Sequence, residues 1–75
     1  MDIREIAQAF LDQANIPGVL FSHRDAVRVL AGQHAGKVGE LVTVVAVDPE
    51  PVYVVELTNG FDVEVLQSEI GSYVA

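Results

Sequence analysis

Apolar residues recur at Ile3, Ile6, Ala7, Phe10, Leu11 and Ala14, with polar residues at Asp2, Arg4, Glu5, Gln8 and Asp12 between them. Spacings of three and four predict one amphipathic helix over residues 1–16. Asp2 is placed to cap it, with Glu5 at the matching position of a capping box. Asn15-Ile16-Pro17-Gly18 ends it, because a proline disfavours helical backbone in the residue before it. Val19, Leu20 and Phe21 then read as a buried connector. A helix this short is marginal alone. Its apolar stripe has to dock on the rest of the chain or on a second copy.

From Ser22 the period changes from helical to alternating. Asp25–Gly32 (DAVRVLAG) predicts a first strand with Val27 and Val29 on one face. Gly39–Asp48 (GELVTVVAVD) predicts a long second strand that is apolar on both faces. Strict alternation puts Leu41, Thr43, Val45 and Val47 on one face and Val42, Val44 and Ala46 on the other. Such a strand is buried on both sides, and the N-terminal helix is the expected cover for one of them. Asp48–Pro51 is a turn, since its prolines cannot donate to a ladder.

VYVVEL and FDVEVLQ flank Asn59-Gly60 and predict a hairpin whose register can be argued. A two-residue turn would pair Leu57 with Asp62 and Glu56 with Val63, mixing core and solvent positions. A three-residue loop, Thr58-Asn59-Gly60, pairs Leu57 with Phe61, Val55 with Val63 and Tyr53 with Val65, all on one buried face. The second is preferred, with Gly60 in the left-handed region. Ser68–Ile70 reads as a short helical turn, and Ser72–Ala75 as a last short strand. One helix followed by five short strands, with no crossover helix, predicts a mainly β fold. It is a single domain over residues 1–75, in which a small, highly curved barrel over residues 22–75 carries the helix.

Composition narrows the function. About half of the 75 residues are apolar, enough for one small core. The absence of cysteine removes disulfides, thiolate metal sites and thiol nucleophiles, and favours a cytoplasmic setting. MDIREIAQAF lacks the basic flank of a secretory signal, and no apolar run is long enough to span a bilayer, so no membrane association is expected. The net charge is −7, and every cation (Arg4, Arg24, Arg28, Lys37) precedes residue 38. Phosphate-backbone binding draws on cations, so nucleic acid is disfavoured as a partner.

Ala31–Val44 (AGQHAGKVGELVTV) invites a functional reading. A phosphate loop of the G-x-x-x-x-G-K-[ST] type is excluded. Gly32 to Gly36 is one residue too short, Val38 stands where a hydroxyl is needed, and a strand follows instead of a helix. A structural reading needs no ligand: Gly32, Gly36 and Gly39, like Asn59 and Gly60 further on, serve as turn residues. The same stretch, with Val27, Val29, Leu30, Gly32, Gly36, Lys37, Gly39, Leu41 and Val44, resembles a KOW motif. That resemblance implies a five-stranded SH3-like barrel for residues 22–75. It also implies a place among domains that touch RNA or ribosomal proteins, or that bind other proteins. Arg28, His34 and Lys37 are then the candidate loop contacts.

No constellation for catalysis is present. His23 lies near Asp25, and two histidines with a carboxylate can bind zinc. The sequence has no H-x-x-x-H spacing and no cysteine, so neither a metal nor a cofactor is expected. The hairpin register places Val54, Glu56, Asp62 and Glu64 outward, with Glu56 facing Asp62. Like charges opposite one another destabilise a sheet. This makes the face a candidate partner-binding surface, set against a merely solvated strand face. The expectation is a small non-catalytic module that binds protein. Its dipolar charge and amphipathic helix leave a route to homo-oligomers. Two alternatives stay open: a KOW-type RNA- or ribosome-associated protein, and an acidic regulatory or immunity-like inhibitor of a basic partner.

Overall fold

The structure is a computed structural model and describes residues 2–74. The helix α1 (Ile3–Leu11) is capped by Asp2, whose Oδ1 accepts the Arg4 backbone N–H at 3.1 Å. It is shorter than the apolar spacing predicts. The chain turns at Asp12 and Gln13, where Gln13 takes a left-handed φ of 58°, well ahead of Pro17. The early stop drops Ile16 into the core and leaves Ala14 exposed. Only Ile6 and Phe10 of the helical stripe are fully buried, while Ile3 and Leu11 on its flank stay 40% and 45% exposed.

Five antiparallel strands follow: β1 (Ala26–Val29), β2 (Val38–Ala46), β3 (Val52–Leu57), β4 (Asp62–Leu66) and β5 (Ile70–Ser72). They form one sheet in the order β4-β3-β2-β1-β5. Among the described residues the edge strands β4 and β5 do not pair, so the sheet is open. The last strand begins two residues earlier than expected. Ile70 is buried and pairs with Val29, and the helical turn moves back to Gln67–Glu69, where the Glu69 carboxylate accepts the Leu66 N–H at 2.9 Å. Ala75, the end of the expected last strand, lies outside the described residues.

The hairpin has the three-residue loop. Tyr53 pairs with Val65, Val55 with Val63 and Glu56 with Asp62. The Leu57 N–H donates to the Phe61 carbonyl at 2.8 Å, and Gly60 has a φ of 92°. One expected core member fails: Phe61 is 69% exposed, because it lies beyond the end of β4 where no layer covers it.

The second strand departs from strict alternation. The β2–β3 register slips between Leu41 and Thr43 and again between Val44 and Ala46, leaving Val42 and Val45 as extra residues. Each bulge resets the side-chain alternation. Leu41 and Val44, expected on opposite faces, are therefore both buried, and Val45 turns outward. The core joins these residues to Val27, Val29, Tyr53, Val55, Leu57, Val65 and Ile70, and α1 covers it through Ile6 and Phe10. Phe10 meets Tyr53 with ring centroids 5.9 Å apart.

The segment between α1 and β1 is held from both ends. Gln67 Oε1 accepts the Leu20 N–H at 3.0 Å and the Tyr53 hydroxyl, and Gln67 Nε2 donates to the Gly18 carbonyl at 3.1 Å. Ser22 and Asp25 close a turn on each other, and Arg24 N–H donates to the Leu41 carbonyl at 2.8 Å. No helix among the described residues is long and apolar enough to cross a membrane.

Candidate functional site

The outward face of the sheet is ordered by register. Ala26 pairs with Glu40, Glu40 with Glu56, and Glu56 with Asp62. Three carboxylates thus lie directly opposite one another on β2, β3 and β4. The next row runs Thr43, Val54, Glu64. The expected face of Val54, Glu56, Asp62 and Glu64 is therefore brought together, and Glu40 joins it.

Six of the seven acidic residues after Lys37 divide by what they do. Glu50 accepts the Ser68 N–H and hydroxyl at 2.9 and 3.1 Å, and Glu69 caps Leu66. Glu40, Glu56, Asp62 and Glu64 are exposed and take part in no side-chain hydrogen bond or ion pair among the described residues. The single ion pair among these residues joins Arg4 to Asp2 at 3.0 Å. Arg24 borders a hollow with Glu40 and Glu56 but pairs with neither. Opposed Cβ atoms on neighbouring antiparallel strands lie about 5 Å apart, and like charges placed there repel. The row thus costs stability, and no cation closes an ion pair with it among the described residues.

Arg28, His34 and Lys37 are not gathered into a matching basic site. Arg28 lies on β1 opposite Val38, with its guanidinium 5.0 Å from the centroid of the Tyr73 ring. Lys37 is exposed in the β1–β2 loop, and its N–H donates to the His34 carbonyl at 3.1 Å. The glycines of that loop turn the chain, with Gly32 and Gly36 at φ values of 86° and 91°. Gly39 does not serve a turn. It sits buried inside β2, where a Cβ would collide with the Glu56 carbonyl oxygen and lie 2.8 Å from Val55 Cγ1. Its smallness lets β3 approach at the point where Glu40 and Glu56 face each other.

His23 and Asp25 do not form a metal site. His23 Nδ1 is 2.9 Å from the Val42 carbonyl oxygen, and Asp25 Oδ2 accepts the Ser22 N–H at 2.8 Å. Among the described residues no group of three His, Cys, Asp or Glu side chains could hold an ion. Beside the acidic row, a cleft of about 350 Å³ opens between Glu40 and Glu56 on one side and Tyr73 on the other. Sequence reasoning missed Glu40, Ala26 and Tyr73, whose placement depends on pairings between distant segments. No protein-family model, curated protein or solved structure matches the chain.

Proposed function

We propose that this chain is a small non-catalytic binding module that docks a basic protein surface on its outward acidic face. The observation that carries this reading is the row Glu40–Glu56–Asp62, three carboxylates in register on adjacent strands with no cation paired to them. A fold keeps such a row at a cost to itself, and a basic partner relieves that cost on binding. Glu64 and the half-buried Val54 extend the face with one more charge and some apolar area. In the finer description we favour an SH3-like barrel. Two bulges in β2 bend the sheet, and a 3-10 turn returns β5 to β1.

The test compares two charge-matched double variants for binding to a lysine- and arginine-rich peptide at low salt. Glu56→Lys with Asp62→Lys removes the row. Glu5→Lys with Asp12→Lys makes the same change in net charge on the helix. Loss of binding in the first and retention in the second supports the reading; equal binding by both overturns it. Parallel titration with single-stranded RNA tests the KOW-type alternative, which requires saturable RNA binding that is lost in Arg28→Glu and Lys37→Glu.

Self-association is a second reading, favoured by the exposed flank of α1. Ile3 and Leu11 lie on one side of the helix and remain 40% and 45% exposed. Sedimentation of Leu11→Lys against the wild type tests it: a dimer dissociated by the substitution supports the reading, and a monomeric wild type overturns it.

A further inference from the structure

The row of opposed residues does not stop at Glu40. It continues to Ala26 on β1 and on to Tyr73, whose N–H donates to the Ala26 carbonyl at 3.0 Å. Ala26 is the smallest side chain in that row, set between an aromatic ring and a carboxylate pair. This is where the cleft of about 350 Å³ lies, with the side chains of Ala26 and Val38 as its apolar lining, Tyr73 as one wall, and Glu40 with Glu56 as the other. The volume is at the small end of ligand sites. It suits one long side chain.

We propose that this cleft takes a single arginine side chain of the partner, and so anchors the docking described above, on which the proposal rests. The stem of an arginine lies against apolar surface while its head reaches a polar one. The cleft offers apolar lining and then two opposed carboxylates. A planar guanidinium presents several N–H groups in a fixed fork and can serve both carboxylates at once, whereas a lysine ammonium is a compact, strongly hydrated point charge. Arg28 bears on where that guanidinium settles. Its guanidinium already stands at the Tyr73 ring, so a second cation is repelled from that wall and placed at Glu40 and Glu56.

The experiment is a titration of the isotope-labelled full chain, followed by NMR at low salt, with a capped Gly-Gly-Arg-Gly-Gly peptide. Its lysine and citrulline counterparts serve as probes of charge and shape. The arginine peptide is expected to shift the amides of Ala26, Gly39, Glu40 and Tyr73. The citrulline peptide is expected to bind about tenfold more weakly, the factor associated with losing one charge-assisted contact. Ala26→Leu fills the cleft and is expected to remove the shifts, while Ala26→Ser leaves it open and retains them. If Ala26→Leu loses its dispersed spectrum, Ala26→Val, a strand-favouring residue, takes its place. Equal affinity for the lysine peptide, or shifts at Asp62 and Glu64 that survive the filled cleft, overturns the arginine site and leaves the acidic-face reading standing. No shift at any residue, together with peptide binding unaffected by Glu56→Lys and Asp62→Lys, overturns both.

Discussion

His23 Nδ1 lies 2.9 Å from the carbonyl oxygen of Val42, the extra residue of the first bulge in β2. A carbonyl can only accept, so Nδ1 carries the proton. Val42 has no partner on β3 in the ladder, and the histidine serves its carbonyl from the segment that leads into β1. The same ring meets Phe10 edge-on, with centroids 6.2 Å apart. One side chain therefore ties the bulge to the helix that covers the core. His23→Ala is expected to destabilise the fold by about 1–2 kcal/mol, from a lost hydrogen bond and a lost aromatic contact. Urea unfolding checks this, and an unchanged midpoint at equal slope would show that the bulge stands without the histidine.

Gln67 is the corresponding fastener on the other side of the connector, with bonds to Leu20, Gly18 and Tyr53. Gln67→Ala removes all of them at once. The expected cost is about 1–3 kcal/mol, with faster hydrogen exchange at the Leu20 amide, whose acceptor is gone. Retained protection at Leu20 would rule out this role for Gln67.

The Tyr53 hydroxyl gives the fold an alkaline limit. Burial is the largest influence on it and pushes its pKa up from the ordinary value of 10.0. A group whose pKa is raised on folding contributes stability that is complete below its unfolded value and is lost as pH climbs through its folded value. Stability is therefore expected to be insensitive to Tyr53 up to about pH 9 and to fall above pH 10. Tyr53→Phe should lower stability near neutral pH by about 1 kcal/mol through the lost bond to Gln67. It should also flatten the decline on the alkaline side, as read from the difference between the two pH profiles.

Gly36 and Gly39 belong to the same glycine-rich stretch but fail differently when substituted. Gly36 has a φ of 91° and open space where a Cβ would be, so Gly36→Ala adds only left-handed strain, about 1 kcal/mol. Gly39 has no positive φ, but a Cβ there meets the Glu56 carbonyl group and Val55 Cγ1. Backbone cannot rotate away as a side chain can. Gly39→Ala is expected to cost about 3 kcal/mol, a large share of the stability of a domain this small. Thermal unfolding of the two variants checks the order, and equal losses would contradict the close approach.

Legibility in the sequence followed the range of the interaction. The hairpin register was readable because Leu57, Val55 and Tyr53 had to share a face with their partners across a three-residue loop, and the structure has that register. The pairing of Glu56 with Asp62 came with it. The β2 bulges were not readable. Valines on both sides of the strand give the same pattern before and after a reset, so nothing distinguishes Leu41 and Val44 on one face from Leu41 and Val44 on two. The placement of Glu40 opposite Glu56 depends on those bulges and on the Asp48–Pro51 turn. Tyr73 reaches Ala26 only through the return of β5 to β1. These are contacts between segments far apart in the chain, and local pattern carries no trace of them. Helix length failed for a local reason: the turn at Asp12-Gln13 comes before the proline that the sequence offers as the stop.

Glu56 is where the proposed function and the stability of the fold oppose each other. It stands between Glu40 on one side and Asp62 on the other, so removing its charge relieves two repulsions and creates none. Glu56→Gln keeps the shape of the side chain and is expected to raise stability by about 0.5 kcal/mol at low salt. Because the three groups are exposed, the gain should shrink as salt screens them. Neutralising Glu5, on the first turn of α1, should do the reverse, since a carboxylate near a helix N-terminus is stabilising. The same Glu56→Gln change should weaken binding of the basic peptide. A stabilised variant that binds less well would show that the row is retained for its partner. A variant that is destabilised, or that is stabilised and binds as before, would reduce the row to a solvated strand face.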